Sequence, residues 1–493
     1  MTGEVTAVPL FGRGFSSKSR VVTSMKLTNL YREPAMPEQD KTAMALYGTP
    51  GAKLWSAGVG TQPCRGAYQT DNQPAIVVYG SVVYWTDDFI TFTAVSGPNL
   101  STTSGPVQMS DNGVQLLIID GNTGFILTWA TLVMAAIASP NFPQFANSCC
   151  FIGGYFVVPD GSAVGRFRWS KSYDGTVWNA TDFANAEFSP DPLWGVFAEA
   201  GFLYLLGSWT TEMWALSGDT RVFARVGGAG IEYGTVFTRG SLATSFRDSS
   251  VIFLGQNQKG GLDVVRLDGL KPRIISTPDI SHDMQVAFLE VPDLGFDGSP
   301  PGFTNFNGLS SFVVERHFFC QVNINNQSWL YDDLSDDWSA ISTDNGRHYA
   351  NLRVWNLVSA RPLASDYRNA KWYEVDQFTY TDPGGSAIIN ELITKHAFGS
   401  GNMVSFDEVF VDMETGVGLE GTGQGSDPQL MCSWSKDGGR TYGSEVFKPM
   451  GKVGAYQTRI WLWMLGRAFD WVFKFRCSEP VKVVFTGMSA RVS

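Results

Sequence analysis

The stretch Ala75-Ile76-Val77-Val78-Tyr79-Gly80-Ser81-Val82-Val83-Tyr84-Trp85 decides the fold. It is an apolar run, a two-residue turn of small side chains and a second apolar run. Short runs rich in β-branched and aromatic residues form strands, and Gly-Ser accepts the positive φ that suits a hairpin's twist. The same figure returns along the chain. Val114 to Ile119 turns at Asp120-Gly121-Asn122-Thr123 into Phe125 to Trp129, and Cys150 to Ile152 turns at Gly153-Gly154 into Tyr155 to Val158. Val196 to Ala198 leads through Glu199-Ala200-Gly201 into Phe202 to Leu206. Ser250 to Leu254 returns past Gly260-Gly261 as Leu262 to Leu267, and Phe318 to Ile324 returns past Asn325-Asn326 as Trp329 to Tyr331.

The second runs begin near residues 82, 125, 155, 202, 262 and 329, with gaps of 43, 30, 47, 60 and 67. Propeller blades of four strands repeat at about 40–50 residues, so the later gaps require insertions. One small sheet cannot cover both of its faces, whereas packing neighbours around an axis does so and shortens exposed edges. The pattern predicts an all-β chain with a β-propeller-like domain over residues 59–385. A pair of β-sandwiches built from the same hairpins is the alternative. Residues 1–58, punctuated by Pro34, Pro37, Gly48, Pro50 and Gly51, read as an extended arm plus an opening strand. After Asp382-Pro383-Gly384-Gly385, residues 386–493 read as a separate C-terminal β-sandwich-like domain. There, Trp471, Phe473 and Phe475 alternate with Val472, Lys474 and Arg476.

Composition agrees. The 493 residues include 53 Gly, 16 Trp, 16 Tyr and 34 Phe, with only 17% charged, which suits short strands and tight turns rather than solvated helices or disorder. The net charge of −11 disfavours general nucleic-acid binding, which needs clustered Lys and Arg, and leaves open a surface that DNA slides past without sticking. The six cysteines form no CxxC pair and read as buried reduced thiols of a protein made in cytoplasm. The run Gly124 to Ala138 is shorter than the ~20 residues of a membrane span and reads as buried strand and loop.

The sharpest local motif is Ser435-Lys436-Asp437-Gly438-Gly439-Arg440-Thr441-Tyr442, an Asp-box hairpin of the form S-x-D-x-G-x-T-aromatic. Its carboxylate can cap turn N–H groups, and the aromatic folds back as a plug. Ser435, Asp437, Gly439 and Tyr442 are its structural turn positions. A shortened cousin holds Asp174, Gly175 and Trp178. Asp boxes occur in sialidases, so a sialidase-like glycan hydrolase or a glycan-binding adhesin is the competing function. The box is nevertheless a fold element that lies away from chemistry. The acid cluster Asp332, Asp333, Asp336 and Asp337 lacks the Gly and Glu of a calcium loop and reads as a solvated turn. The four histidines, residues 282, 317, 348 and 396, show no metal-ligand spacing, and no nucleophile elbow or phosphate loop is present. The expectation is therefore no catalytic residue, no metal and no cofactor. The basic residues Arg20, Arg32, Arg459 and Arg467 are candidate interface charges toward an acidic neighbour.

Several ordered segments carry a resemblance. Leu27-Thr28-Asn29-Leu30-Tyr31-Arg32-Glu33-Pro34 and the turn Thr49-Pro50-Gly51 open the series. Tyr155-Phe156-Val157-Val158, then Phe167-Arg168-Trp169-Ser170 with Asp174-Gly175 and Trp178, continue it, followed by Trp209-Thr210-Thr211-Glu212-Met213-Trp214. The Asp box of residues 435–442 and Leu465-Gly466-Arg467 close it. In this order the segments resemble the packaged-DNA stabilisation protein family of short-tailed bacteriophages, the tail hub or nozzle. Asn29, Tyr31, Thr49, Pro50 and Gly51 are the family-motif positions. The resemblance implies a structural, non-enzymatic virion tail protein: a hexameric ring below the head-to-tail adaptor that extends and closes the tail tube. Implied partners are the adaptor, a tailspike or fibre, a needle or plug, and genomic DNA passing without sequence-specific contact.

Overall fold

The computed structural model describes residues 5–7, 24–34, 44–218, 221–236, 242–244, 250–269, 271–289, 308–325, 327–343, 352–354, 362–399 and 401–492. All six hairpins read from the sequence are present. Five sit inside small antiparallel sheets and the sixth at one end of a ten-stranded sheet; among the described residues six small sheets and that end make seven blades. Blades 1 to 4 span Cys64–Ala94, Gln108–Ala136, Cys150–Asn185 and Leu193–Ile231. Blade 5 spans Gly234–Ile274 and blade 6 Gly308–Ile341.

Blade 7 is made differently. Leu352–Val354, Leu363–Asp366 and Trp372–Asp376 take their outer strand from far upstream, Gly51–Ser56, with Asp376 opposite Gly51. An N-terminal strand thus closes the last blade.

The apolar runs are continuous because each central strand is covered on both faces. Successive side chains point to opposite faces, so one strand supplies two seams. Ile76 and Val78 meet Leu116 and Ile118 between blades 1 and 2, while Leu117 and Ile119 meet Phe156 and Val158 between blades 2 and 3. Val157 and Phe167 meet Leu203 and Leu205, and Tyr204 and Leu206 meet Phe253 and Val265. Leu254 and Val264 meet Val322 and Trp329, and Phe319 and Leu330 meet Ala364. Val77 and Tyr79 of blade 1 meet Leu363 and Trp372 of blade 7. The seven seams follow one another round to the start, which makes the seven blades a closed wheel. A helix, Pro278–Leu289, buries Ile280, Met284 and Ala287 in the seam between blades 5 and 6. Its Pro278 stands at the first helical position, where a missing N–H costs nothing.

The second unit is a β-sandwich. One sheet runs Leu30–Pro34, Met44–Gly48, Val484–Val492, Val404–Met413, Ile460–Ala468, with Val5–Ala7 also on Val484–Val492. The other runs Lys26–Thr28, Asn390–Ile393, Asp470–Cys477, Gln429–Ser435, Val446–Pro449. Between them lies a core of Trp471, Phe473, Phe475, Phe485 and Phe406 that also takes in Met25, Leu27, Leu30 and Leu46. The opening segment, read as an arm plus one strand, is thus distributed over both units in its described part. Lys26–Thr28 even bridges them, pairing in parallel with the outer strand of blade 6 and antiparallel with Asn390–Ile393. Blade 6 and half of the sandwich are one ten-stranded sheet. All six cysteines are buried and free of disulfides.

Candidate functional site: the joint between wheel and sandwich

The family-motif positions converge where the two units meet. Asn29 stands between two strands with φ of 54°, a left-handed conformation that Asn tolerates better than most residues. Its amide N–H₂ donates to the carbonyls of Ser342 (2.9 Å) and Ile389 (2.9 Å) and to the Ser342 hydroxyl (3.1 Å). Its side-chain oxygen accepts from Ser342 N–H at 2.8 Å. Its backbone N–H donates to Ala340 and its carbonyl accepts from Thr49. One buried side chain therefore ties blade 6, the sandwich and the opening hairpin together. Thr49, Pro50 and Gly51 line a cavity of about 70 Å³ beside it with Phe312 and Leu330. Gly51 is required there, because a Cβ would stand 2.2 Å from the Thr379 carbonyl oxygen. Tyr31 is buried edge-on to His317 (4.8 Å) and Phe319 (5.4 Å), and burial pushes its phenol well above the usual range.

The acid cluster proves different from a solvated turn. Asp332, Asp333 and Asp337 are buried, three of the four carboxylates meet an arginine, and Asp332 meets a histidine. Asp333 pairs with Arg266 of blade 5 at 2.5 Å, and Asp336 with Arg273 of blade 5 at 3.3 Å. Asp337 pairs with Arg32 of the sandwich hairpin at 3.2 Å. Asp332 contacts His317 Nδ1 at 3.0 Å, and His317 Nε2 contacts Glu33, which also meets Arg316. One turn thus rivets blade 6 to blade 5 and to the sandwich. The cations lie 60 or more residues away in sequence, except His317, so local reading sees only acids. Arg32 is corrected with it: it is spent inside the protein rather than offered to a neighbour, because Asp337 faces it across the joint.

The two Asp boxes differ in their work. In the sandwich, Asp437 Oδ1 accepts from Arg440 N (3.0 Å) and Thr441 N (2.9 Å), and Oδ2 accepts from the Thr441 hydroxyl (2.6 Å). Ser435 donates to Asp437 at 2.6 Å and accepts from Gly439 N at 2.8 Å. The Ser435 and Thr441 hydroxyls, with those N–H groups, hold the Asp437 carboxyl well below the usual carboxylate range. Gly438 and Gly439 carry φ of 71° and 83°. Tyr442 is half-buried over the turn, with the Lys474 ammonium 5.8 Å from its ring. In blade 3, Asp174 caps Thr176, whose hydroxyl is first among the groups that lower its pKa. Gly175 donates to Gln115 of blade 2 at 2.8 Å. Trp178 donates to the Gly175 carbonyl and fills the seam between blades 2 and 3, edge-on to Phe142 at 5.1 Å. The carboxylate of each box is occupied by its own turn.

Of the remaining candidate charges, Arg459 and Arg467 are exposed at either end of Ile460–Ala468, an edge strand of its sheet. Arg20 lies outside the described residues. Trp463 and Met464 of the same strand are exposed, with Lys448 placed 4.6 Å over the Trp463 ring. Among the described residues, no group of three His, Cys, Asp or Glu side chains is placed to hold a metal ion. No described helix is long and apolar enough to cross a membrane. Residues missed by sequence reasoning are Arg266, Arg273, His317 and Ser342. Only the resemblance pointed to Asn29.

A family model described as bacteriophage P22 Gp10, beta-propeller, matches residues 7–290, and one described as bacteriophage P22 Gp10, beta-sandwich, matches residues 390–493. No curated protein matches the chain. Among solved structures, a computationally designed protein, Ika8, is similar at 10% identity and a TM-score of 0.36, over 71% of this chain and 99% of its own.

Proposed function

The chain belongs to the bacteriophage P22 Gp10 family of packaged-DNA stabilisation proteins, and on that premise we propose that it is a tail nozzle subunit. Six copies form a ring below the head-to-tail adaptor, extend and close the tail tube, retain the packaged DNA and let it pass at ejection. The observation that carries this reading is the closure of the chain into one body. The wheel is shut by an upstream strand, and its sixth blade runs as a single sheet into the sandwich. A part that holds back compressed DNA needs stiffness, and pairing across the whole body supplies it. It acts as passive conduit rather than catalyst.

Charge supports the same reading. Residues 59–385 hold 18 Lys and Arg against 32 Asp and Glu, whereas residues 386–493 hold 11 of each. At −11 per copy, six copies carry about −66. Acidic wheel surface turned to the lumen repels phosphate and keeps the duplex from sticking. The near-neutral sandwich, with Arg459 and Arg467 exposed, is the docking platform for neighbouring copies and the adaptor. A tailspike or fibre and a needle or plug complete the partners, in the virion tail. The test is mass in solution by light scattering, alone and with the adaptor, followed by imaging of the assembled ring. A ring that forms with the adaptor is expected. A chain that stays monomeric beside the adaptor, a channel lined by Lys and Arg, or turnover of a glycan library overturns the reading.

A further inference from the structure

We propose that Glu33, His317 and Asp332 form a proton-dependent lock between the two units, in which His317 carries both ring protons and donates one to each carboxylate. His317 opens strand His317–Ile324 of blade 6 and is buried, with 2% of its side chain exposed. Its Nδ1 lies 3.0 Å from Asp332 Oδ2, on the neighbouring strand of the same blade. Its Nε2 meets Glu33 Oε2, on the sandwich hairpin strand Leu30–Pro34. A neutral imidazole has one donor and one acceptor nitrogen, and only the imidazolium donates from both. Two ionised carboxylates on opposite sides of the ring therefore demand the charged form.

The partners place the proton on the ring rather than on either acid. Asp332 already accepts from the Ser335 hydroxyl (2.7 Å), from Ser335 N (3.3 Å) and from Leu334 N (3.2 Å), so its oxygens serve as acceptors on every side. Glu33 is met by the Arg316 guanidinium. The other groups that face the site are Tyr31, kept neutral by its burial, Tyr47 against Tyr31 at 6.0 Å, and Glu315 in the adjoining turn. Phe319 stacks on the ring at 5.5 Å. Burial alone pulls the imidazole down, but the hydrogen bond and charge of Asp332, then those of Glu33, outweigh it and the net shift is upward from 6.5.

The sign follows. A group whose pKa is raised on folding stabilises the folded state fully below its unfolded value, and that contribution is lost as pH rises through the folded value. The lock is closed below the ordinary imidazole midpoint of 6.5 and stays closed until pH rises through the higher folded value. Above it, one ring nitrogen becomes an acceptor facing a carboxylate, and the two units are held by the other rivets alone.

The experiment is a long-range proton–nitrogen correlation spectrum of the full chain labelled at its four histidines. His282→Gln, His317→Gln, His348→Gln and His396→Gln assign the rings. Below pH 6.5, the ordinary imidazole midpoint, both His317 nitrogens are expected at protonated shifts, and the midpoint itself is expected above 6.5. Glu33→Gln, which leaves the ring and its burial in place, should move the titration midpoint down by about one pH unit. Amide protection of the Leu30–Pro34 strand, corrected for intrinsic exchange, should fall as pH rises past the His317 midpoint. A His317 midpoint at or below 6.5, a midpoint indifferent to Glu33→Gln, or protection that is flat across the midpoint overturns the proposal. None of these readings depends on whether the chain assembles into a ring.

Discussion

The seams between blades are mainly apolar and the joint between wheel and sandwich is mainly polar; the seam of blades 5 and 6, with Arg266 on Asp333 and Arg273 on Asp336, shares the joint's ion pairs. A seam such as that of blades 4 and 5 is mainly apolar, with Tyr204, Leu206, Met213, Phe253 and Val265 interleaved and Gln256 of blade 5 donating to the Ser208 carbonyl at 3.1 Å. The joint is polar: Asn29 with its four side-chain hydrogen bonds, Arg32 on Asp337, and Glu33 on His317. Apolar contact is roughly proportional to area and forgives its partner, so a repeated hairpin can supply it seven times over. Charged and amide contacts are directional and costly when unmatched, so they serve a junction that occurs once and needs one geometry. The difference predicts that seams fail by losing volume and the joint fails by losing a partner.

The largest effect should come from removing both at once. Deleting residues 1–56 takes the outer strand of blade 7, the bridging strand Lys26–Thr28 and the hairpin of the sandwich sheet. Loss of cooperative melting in both units is expected by calorimetry. Survival of a separate wheel transition would show that the N-terminal closure is dispensable. Next is the seam itself. Trp372 is fully buried between blades 7 and 1 and donates to Tyr79 Oη at 2.5 Å. Trp372→Ala should cost about 3–5 kcal/mol in denaturant unfolding.

The joint should answer differently. Arg32→Met leaves Asp337 buried beside an apolar stem and should cost about 3 kcal/mol. Adding Asp337→Leu should recover most of that loss, because removing both charges of a buried pair is often close to neutral. No second substitution of comparable simplicity should rescue Trp372→Ala. If the double variant is as unstable as the single, the pair contributes more than its own desolvation and the contrast with the seams weakens.

The contrast also explains what sequence could reveal. Six hairpins were readable because a blade is local: two apolar runs and their turn lie within a few tens of residues. The seventh was not, since its outer strand Gly51–Ser56 lies some three hundred residues ahead of Trp372–Asp376. The helix Pro278–Leu289 was missed for another reason. It fully buries only three of its apolar side chains, with Phe288 packed beside them, a pattern too thin to stand out among strands. The rivets escaped most completely. Asp332, Asp333, Asp336 and Asp337 form an obvious cluster, yet nothing local says that Arg32, Arg266 and Arg273 will meet them. A solvated turn and a buried ionic hub have the same sequence until the long-range pairs are known.

The smallest expected effect separates the two Asp boxes. Trp178 belongs to a seam, whereas the Asp437 carboxylate serves only its own exposed turn at the tip of the sandwich. Asp437→Ala should leave the global unfolding midpoint where it is, because no seam or rivet is touched. What it removes is the acceptor for the Arg440 and Thr441 amides, whose hydrogen exchange should quicken about tenfold or more while neighbouring strands stay protected. In the intact protein that protection should survive at pH 4. A carboxyl whose pKa is depressed on folding stabilises above its unfolded value, here 3.8, and the benefit fades only as pH falls through the lower folded value. Should the amides of Arg440 and Thr441 instead lose protection near pH 4, the turn would be held by its glycines and by Ser435. The box would then resemble the joint less than its hydrogen bonds suggest: a shape set by backbone, with the carboxylate as ornament.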